Sequence, residues 1–90
     1  MNKTFHIQII TPNKVYYEGD AVSLIAPGAE GYLGVLPDHA PLISNLRPGK
    51  ITLTAQADAP PLVFNSPEKG FLEVFKNQVV LLLRSLERQS

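Results

Sequence analysis

The sequence predicts an all-β domain, a sandwich or a barrel. Three observations carry that expectation. Short runs of strand-forming residues alternate apolar and polar side chains, which puts one set of side chains on a buried face. Turn signals made of Gly, Pro, Asn and Asp separate these runs at intervals of roughly eight to twelve residues, the spacing of small sandwiches and barrels. No window shows the apolar period of an amphipathic helix.

The elements follow in order. Phe5, Ile7 and Ile9 alternate with His6, Gln8 and Ile10, so a half-buried strand starts at Phe5. Thr11-Pro12-Asn13-Lys14 makes a turn, because Pro12 sets φ and Asn13 tolerates the left-handed region. Val15 to Glu18 is β-rich, and Gly19-Asp20 reads as a second turn, giving a meander. Ala21 to Ala26 alternates with Val22, Leu24 and Ala26 on one face and Ser23 on the other, and Pro27-Gly28 closes that strand. The stretch from Gly28 to Gly49 holds four of the six glycines and three of the eight prolines, so it must follow a defined, non-helical path. Its apolar pieces, Leu33, Val35 and Leu36, then Leu42, Ile43 and Leu46, make it a shaped connection that also feeds a core. After a turn at Arg47-Pro48-Gly49-Lys50, Ile51, Leu53 and Ala55 alternate with Thr52, Thr54 and Gln56 in the clearest strand of the chain. A loop over Ala57 to Pro61 leads to a short strand at Leu62 to Phe64, and Asn65 to Gly70 forms another loop. Phe71 to Phe75 and Gln78 to Leu83 are two strands joined at Lys76-Asn77, a spacing that favours a tight hairpin. Arg84 to Ser90 is polar, long enough only to begin a helix. The expected organisation is one domain over 1–84 and a polar tail over 85–90.

Ile9-Ile10, Leu24-Ile25 and Val79 to Leu83 put apolar side chains on both faces of their strands. A sheet with one face in water has polar residues there. The sequence leaves two readings open: a strand capped by a loop or corner, or an outer face that docks on a partner.

Composition removes several function classes. Eight basic and eight acidic residues give a net charge of zero, so there is no electrostatic footprint for nucleic acid. There is no cysteine, hence no disulfide framework and no cysteine metal site. The longest apolar run, Val79 to Leu83, is too short to span a bilayer, and the N-terminus lacks a signal core. The simplest class is a soluble intracellular domain.

No catalytic set emerges. Gly28, Gly31 and Gly34 are spaced like a phosphate cradle, but Val35-Leu36 replaces the Lys-Ser/Thr ending of a P-loop and Pro37 stands where a helix would open. His6, His39 and Asp38 are the only candidate metal cluster, and nothing in their spacing makes them converge. No serine lies in a nucleophile-elbow motif that would pair with His39. Glu18, Asp20, Glu68 and Glu73 read as solvated carboxylates. Tyr32, on a glycine-flanked loop, is a candidate loop-tip contact. The residues point to a binding or structural piece, with no catalytic residue, cofactor or metal expected.

One resemblance sharpens this. Glu30-Gly31-Tyr32-Leu33-Gly34-Val35-Leu36-Pro37-Asp38-His39-Ala40-Pro41-Leu42-Ile43, followed by Arg47-Pro48-Gly49-Lys50-Ile51, resembles the signature of the epsilon subunit of rotary F-type ATP synthase, whose mitochondrial counterpart is called delta. Ile10-Thr11-Pro12 with Tyr17-Glu18-Gly19 resembles the opening strands of that family, and Lys69 to Val74 its G-F-x-E-V segment. The resemblance implies a flattened β-sandwich of about ten strands in two sheets. It implies a non-catalytic place in the central stalk, bound to the gamma subunit and resting on the membrane ring of c subunits. It further implies peripheral attachment at the cytoplasmic face of a bacterial plasma membrane, through the ATP synthase complex. On this basis Ala29, Glu30, Gly31 and Tyr32 face the c-ring, and Thr11, His39, Ala40, Leu42 and Ser44 lie toward gamma. Many members of that family carry a second acidic residue where Tyr32 stands here, so packing and hydrogen bonding, more than charge, are expected at the ring. That family usually adds a C-terminal helical hairpin that inhibits hydrolysis and in some members binds ATP. This sequence stops at Ser90, so both properties are expected to lie outside it. The alternative from another class is a glycan- or peptide-binding sandwich with Tyr32 and His39 in one groove. A third, a small hydrolase using His39 and a serine, lacks its motif.

Overall fold

The computed structural model describes residues 3–89. Ten strands and no helix lie among them: β1 (Phe5–Thr11), β2 (Lys14–Ala21), β3 (Ser23–Gly28), β4 (Gly31–Val35), β5 (Leu42–Leu46), β6 (Gly49–Thr54), β7 (Leu62–Ser66), β8 (Gly70–Phe75), β9 (Gln78–Leu83) and β10 (Glu87–Arg88). They follow one hydrogen-bonded path, β10-β7-β6-β3-β5-β8-β9-β1-β2, with β4 on β3. Every pairing is antiparallel except β1 with β9.

The path is a sandwich because it curls. Strands β3 and β5 share a single pair, Gly28 opposite Leu46, at the corner where Arg47-Pro48 bends the chain from β5 into β6. That joint divides the path into a layer β10-β7-β6-β3-β4 and a layer β5-β8-β9-β1-β2. The far ends then meet: the Tyr16 ring of β2 stands edge-on to Phe64 of β7, centroids 5.8 Å apart. The expected two sheets are therefore one curled sheet whose halves pack face to face.

Alternation decides what fills the space between them. Phe5, Ile7 and Ile9 on β1, Leu72 and Val74 on β8, and Val79, Leu81 and Leu83 on β9 come from one layer. Leu24 and Ala26 on β3, Ile51 and Leu53 on β6, Phe64 on β7 and Val35 on β4 come from the other. Each such Val, Leu, Ile or Phe side chain contributes roughly 1.5–3 kcal/mol by leaving water. The register of β1 against β2 slips between Ile9 and Ile10, leaving Tyr16 as the extra residue. The bulge lets Tyr16 and Tyr17 both pack against the core.

Three local expectations change. Gly19-Asp20 is not a turn: β2 runs through it, with Gly19 opposite Ile7 and Asp20 opposite His6, and the chain bends at Val22 instead. The seven-pair ladder with β1 outweighs the local turn preference. Asn13 occupies its turn without entering the left-handed region, which among non-glycine residues holds Asp38, Lys76 and Asn77. The end of the chain starts no helix: Glu87 and Arg88 pair with Asn65 and Phe64, adding a strand beyond the expected boundary at 84. The Lys76-Asn77 hairpin forms as the spacing predicts, with φ of 50° and 60° at its two central residues and Phe75 opposite Gln78.

Gly70 shows how closely neighbouring strands of one layer are fitted. A Cβ there would lie 2.5 Å from Leu83 Cδ2 and 2.9 Å from the Leu82 carbonyl oxygen. Gly70→Ala is expected to cost about 1–3 kcal/mol through overpacking, read as a lower denaturant midpoint. An unchanged midpoint would mean that β8 and β9 lie further apart than described.

Candidate partner-binding site

The hairpin between β3 and β4 turns at Ala29-Glu30, both exposed, and Gly31 completes it with φ of 136°, a conformation that favours glycine. Arg47 braces this tip. Its backbone N–H donates to the Pro27 carbonyl at 2.8 Å and its Nε to the Gly28 carbonyl at 3.3 Å. Tyr32 is 58 % exposed, yet it is tied down: its hydroxyl accepts the Lys50 N–H at 3.2 Å. The Arg-Pro-Gly turn therefore acts as a brace for the tip from across the corner. Ser44 lines a hollow with Gly28 to Leu33, so it joins the tip residues Ala29, Glu30, Gly31 and Tyr32.

His39, Ala40 and Leu42 lie elsewhere, where the chain enters β5. Leu42 pairs with Val74 and is half-buried. His39 Nδ1 donates to the Ala40 carbonyl at 2.7 Å, and Ser44 Oγ donates to the Asn45 carbonyl at 2.9 Å, so both polar side chains are engaged by local backbone. The walls of the Tyr32 hollow do not include His39, which separates the two residues that a glycan groove would need together. Among the described residues no group of three or more His, Asp or Glu side chains could hold a metal ion.

Thr11 ends β1, its Oγ1 donating to the Lys14 carbonyl at 3.3 Å. It borders an apolar hollow lined also by Ile10, Pro12, Leu82, Leu83 and Arg84. This hollow opens onto a feature that the family resemblance does not name. On the outer face of the β5-β8-β9-β1-β2 layer, Asn45, Phe71, Leu82, Ile10 and Val15 stand in register across five strands. Leu82 is 44 % and Val15 49 % exposed. The next row inward reads Ile43, Glu73, Val80, Gln8 and Glu18, with Ile43 65 % exposed. The third reads Phe75, Gln78, His6 and Asp20. The face grades from apolar to charged. The consecutive apolar pairs signal such a face, but only the parallel register of β1 on β9 aligns Ile10 with Leu82.

The charged edge has its own chemistry. His6 Nε2 lies 2.8 Å from Glu18 Oε2 and Nδ1 lies 3.4 Å from Asp20 Oδ1. Bonding to Glu18 first, then to Asp20, raises the His6 pKa above its usual 6.5. The bond from His6, then one from Gln8, lowers Glu18 below its usual 4.5. The raised histidine stabilises the fold below pH 6.5 and loses that contribution as pH rises through its folded value. The lowered glutamate stabilises above pH 4.5 and loses its contribution as pH falls through its folded value. The pair is thus strongest between the two. An NMR titration of the His6 ring is expected to give a midpoint above 6.5 that moves down in Glu18→Gln. A midpoint insensitive to that substitution would contradict the bond.

Fold and surface together define a ten-stranded β-sandwich domain with a braced hairpin tip and an apolar outer face. The chain belongs to the family described as the ATP synthase Delta/Epsilon chain β-sandwich domain, whose model matches residues 4–89. It is 45 % identical over 85 residues to the ATP synthase epsilon chain of Moorella thermoacetica, covering 94 % of this chain and 62 % of that protein. It is 39 % identical over 87 residues to that of Pelotomaculum thermopropionicum, covering 97 % and 63 %. The chain thus spans about three-fifths of the length of these relatives. Against an ATP synthase epsilon chain from Chlorobium limicola, 38 % identical over 81 residues, the match covers 90 % of both chains. The fold is shared with a chain in the cryo-EM structure of the Euglena gracilis mitochondrial ATP synthase, at a TM-score of 0.88 and 14 % identity, over 98 % of this chain and 55 % of that one. Among the described residues no helix is long and apolar enough to cross a membrane.

Proposed function

We propose that this chain is a non-catalytic coupling piece of the ATP synthase central stalk. In this reading its outer face packs on the gamma subunit and its tip rests on the c-ring, so that ion-driven rotation of the ring reaches gamma and the catalytic hexamer. The observation that carries the reading is the in-register apolar row Phe71, Leu82, Ile10 and Val15 on a strand face that would otherwise meet water. An exposed apolar face of this kind marks a docking surface. The name epsilon chain carried by relatives supports this reading, and a similar fold occurs in a Tetrahymena thermophila central stalk and c-ring structure, at a TM-score of 0.77 and 18 % identity over 96 % of this chain and 68 % of that one. A coupler must transmit torque without deforming, and a closely packed β core suits that task. The Arg47-braced tip loses little entropy on docking. The chain then works at the cytoplasmic face of a bacterial plasma membrane, held there peripherally by the complex.

The test is co-purification of the chain with gamma and with the c-ring, together with deletion of Glu30 to Tyr32. Wild-type chain is expected to be retained by both, and the deletion to keep gamma while losing coupling between ion flow and ATP synthesis. A wild-type chain retained by neither would end the proposal.

A further inference from the structure

The turn that presents His39 is held from outside. Leu36-Pro37-Asp38-His39 closes with the His39 N–H donating to the Leu36 carbonyl at 3.2 Å. Pro37 takes the second position of the turn, which its fixed φ suits. Asp38 takes the third with φ of 64°, where glycine or asparagine is the usual occupant. A non-glycine residue stays in the left-handed region only where its surroundings over-determine it.

Here those surroundings come from the β8–β9 hairpin. The Asp38 N–H donates to Asn77 Oδ1 at 2.6 Å, and Asn77 Nδ2 returns a bond to Asp38 Oδ1 at 2.8 Å. Lys3 Nζ takes the other carboxylate oxygen at 2.9 Å. Asn77 is itself fixed, with φ of 60° in its turn and its carbonyl accepting the His6 N–H at 2.8 Å. The strand-free connection from Leu36 to Pro41 is thereby bolted to the frame of β1, β8 and β9. Hydrogen bonding from Asn77, then from Lys3, also keeps the Asp38 carboxyl below its usual range, so it remains an acceptor at neutral pH.

We propose that Asp38 and Asn77 form a positioning clamp that holds residues 36–41 in the one conformation in which His39 and Ala40 meet gamma. This inference rests on the coupling role proposed above. Its physical content is a population: if the unclamped loop adopts the binding conformation only a fraction of the time, apparent affinity falls by that fraction.

Asn77→Gly separates the clamp from the fold. Glycine suits the second position of a type I′ hairpin, so the turn survives while the reciprocal side-chain bonds vanish. The 90-residue chain carrying Asn77→Gly is expected to keep its thermal midpoint. Amide exchange at Asp38 to Ala40 is expected to rise about tenfold, and affinity for purified gamma to fall about five- to tenfold. Asp38→Gly loses the bond from Asn77 Nδ2 but keeps the backbone N–H that donates to Asn77 Oδ1, so it is expected to weaken binding less, and the double variant to bind no worse than Asn77→Gly, which already removes both bonds. Asp38→Asn, which keeps the Oδ1 acceptor, is expected to bind nearly as the wild type does. If wild-type chain binds gamma and Asn77→Gly binds equally well with unchanged exchange, the clamp is overturned and the coupling role stands. If wild-type chain binds no gamma at all, the coupling role falls and takes the partner-facing part of the clamp with it.

Discussion

Leu53→Asp is expected to leave the chain unfolded at room temperature. Leu53 is fully buried in β6, opposite Leu24 on β3 and Leu62 on β7. Two costs add. Removing the leucine leaves a cavity worth roughly 2–5 kcal/mol. Placing a carboxyl there without a partner costs several more, even when it takes up a proton. A domain of this size has only about 5–13 kcal/mol to lose. The measurement is far-UV circular dichroism with a thermal scan, and the expected result is loss of the β signal and of the cooperative transition. Leu42→Asp serves as the contrast. Leu42 is half-buried at the start of β5, so its carboxylate reaches water and the fold is expected to survive with a lowered midpoint. A Leu53→Asp chain that melts within a few degrees of wild type would overturn the strand phasing.

The second large effect concerns binding with the fold preserved. Leu82→Glu and Ile43→Asp place charges in the apolar and mixed rows of the outer face, where the native side chains already stand 44 % and 65 % exposed. Exposed substitutions of this kind usually change stability by less than about 0.5 kcal/mol. Buried against a partner, the same charges would be unpaired at the centre of an interface, where single residues commonly carry 2 kcal/mol or more. The double variant is therefore expected to melt like wild type and to bind gamma at least about 100-fold more weakly by calorimetry. Normal binding by this variant would move the gamma contact off the outer face.

The residues reveal the all-β class and most of the strands because those features are local. Ile51-Thr52-Leu53-Thr54 cannot serve two masters, and its alternation specifies a half-buried strand wherever it lands. The Gly19-Asp20 pair misleads for the same local reason: it carries turn chemistry, but a long-range ladder to His6 and Ile7 holds it straight. Glu87-Arg88 gives no strand signal at all and pairs only because Phe64 and Asn65 offer an edge. The site divides along the same line. The tip at Ala29-Glu30 is readable from its glycines. Its brace by Arg47 and the alignment of Ile10 with Leu82 depend on contacts between residues distant in the chain. Ser44 illustrates the limit: a neighbour of Leu42 in sequence, it shares its hollow with the tip.

The coupling account requires that one small body, 36 × 27 × 24 Å, touch two different subunits at once, and cysteine cross-linking in the assembled enzyme tests this most directly. The natural chain has no cysteine, so Glu30→Cys and Leu82→Cys each introduce a single reactive thiol. The prediction is that a short cross-linker joins position 30 to a c subunit and position 82 to gamma in the same preparation. Adducts from both positions on one subunit, or none from either in an enzyme that contains the chain, would contradict it.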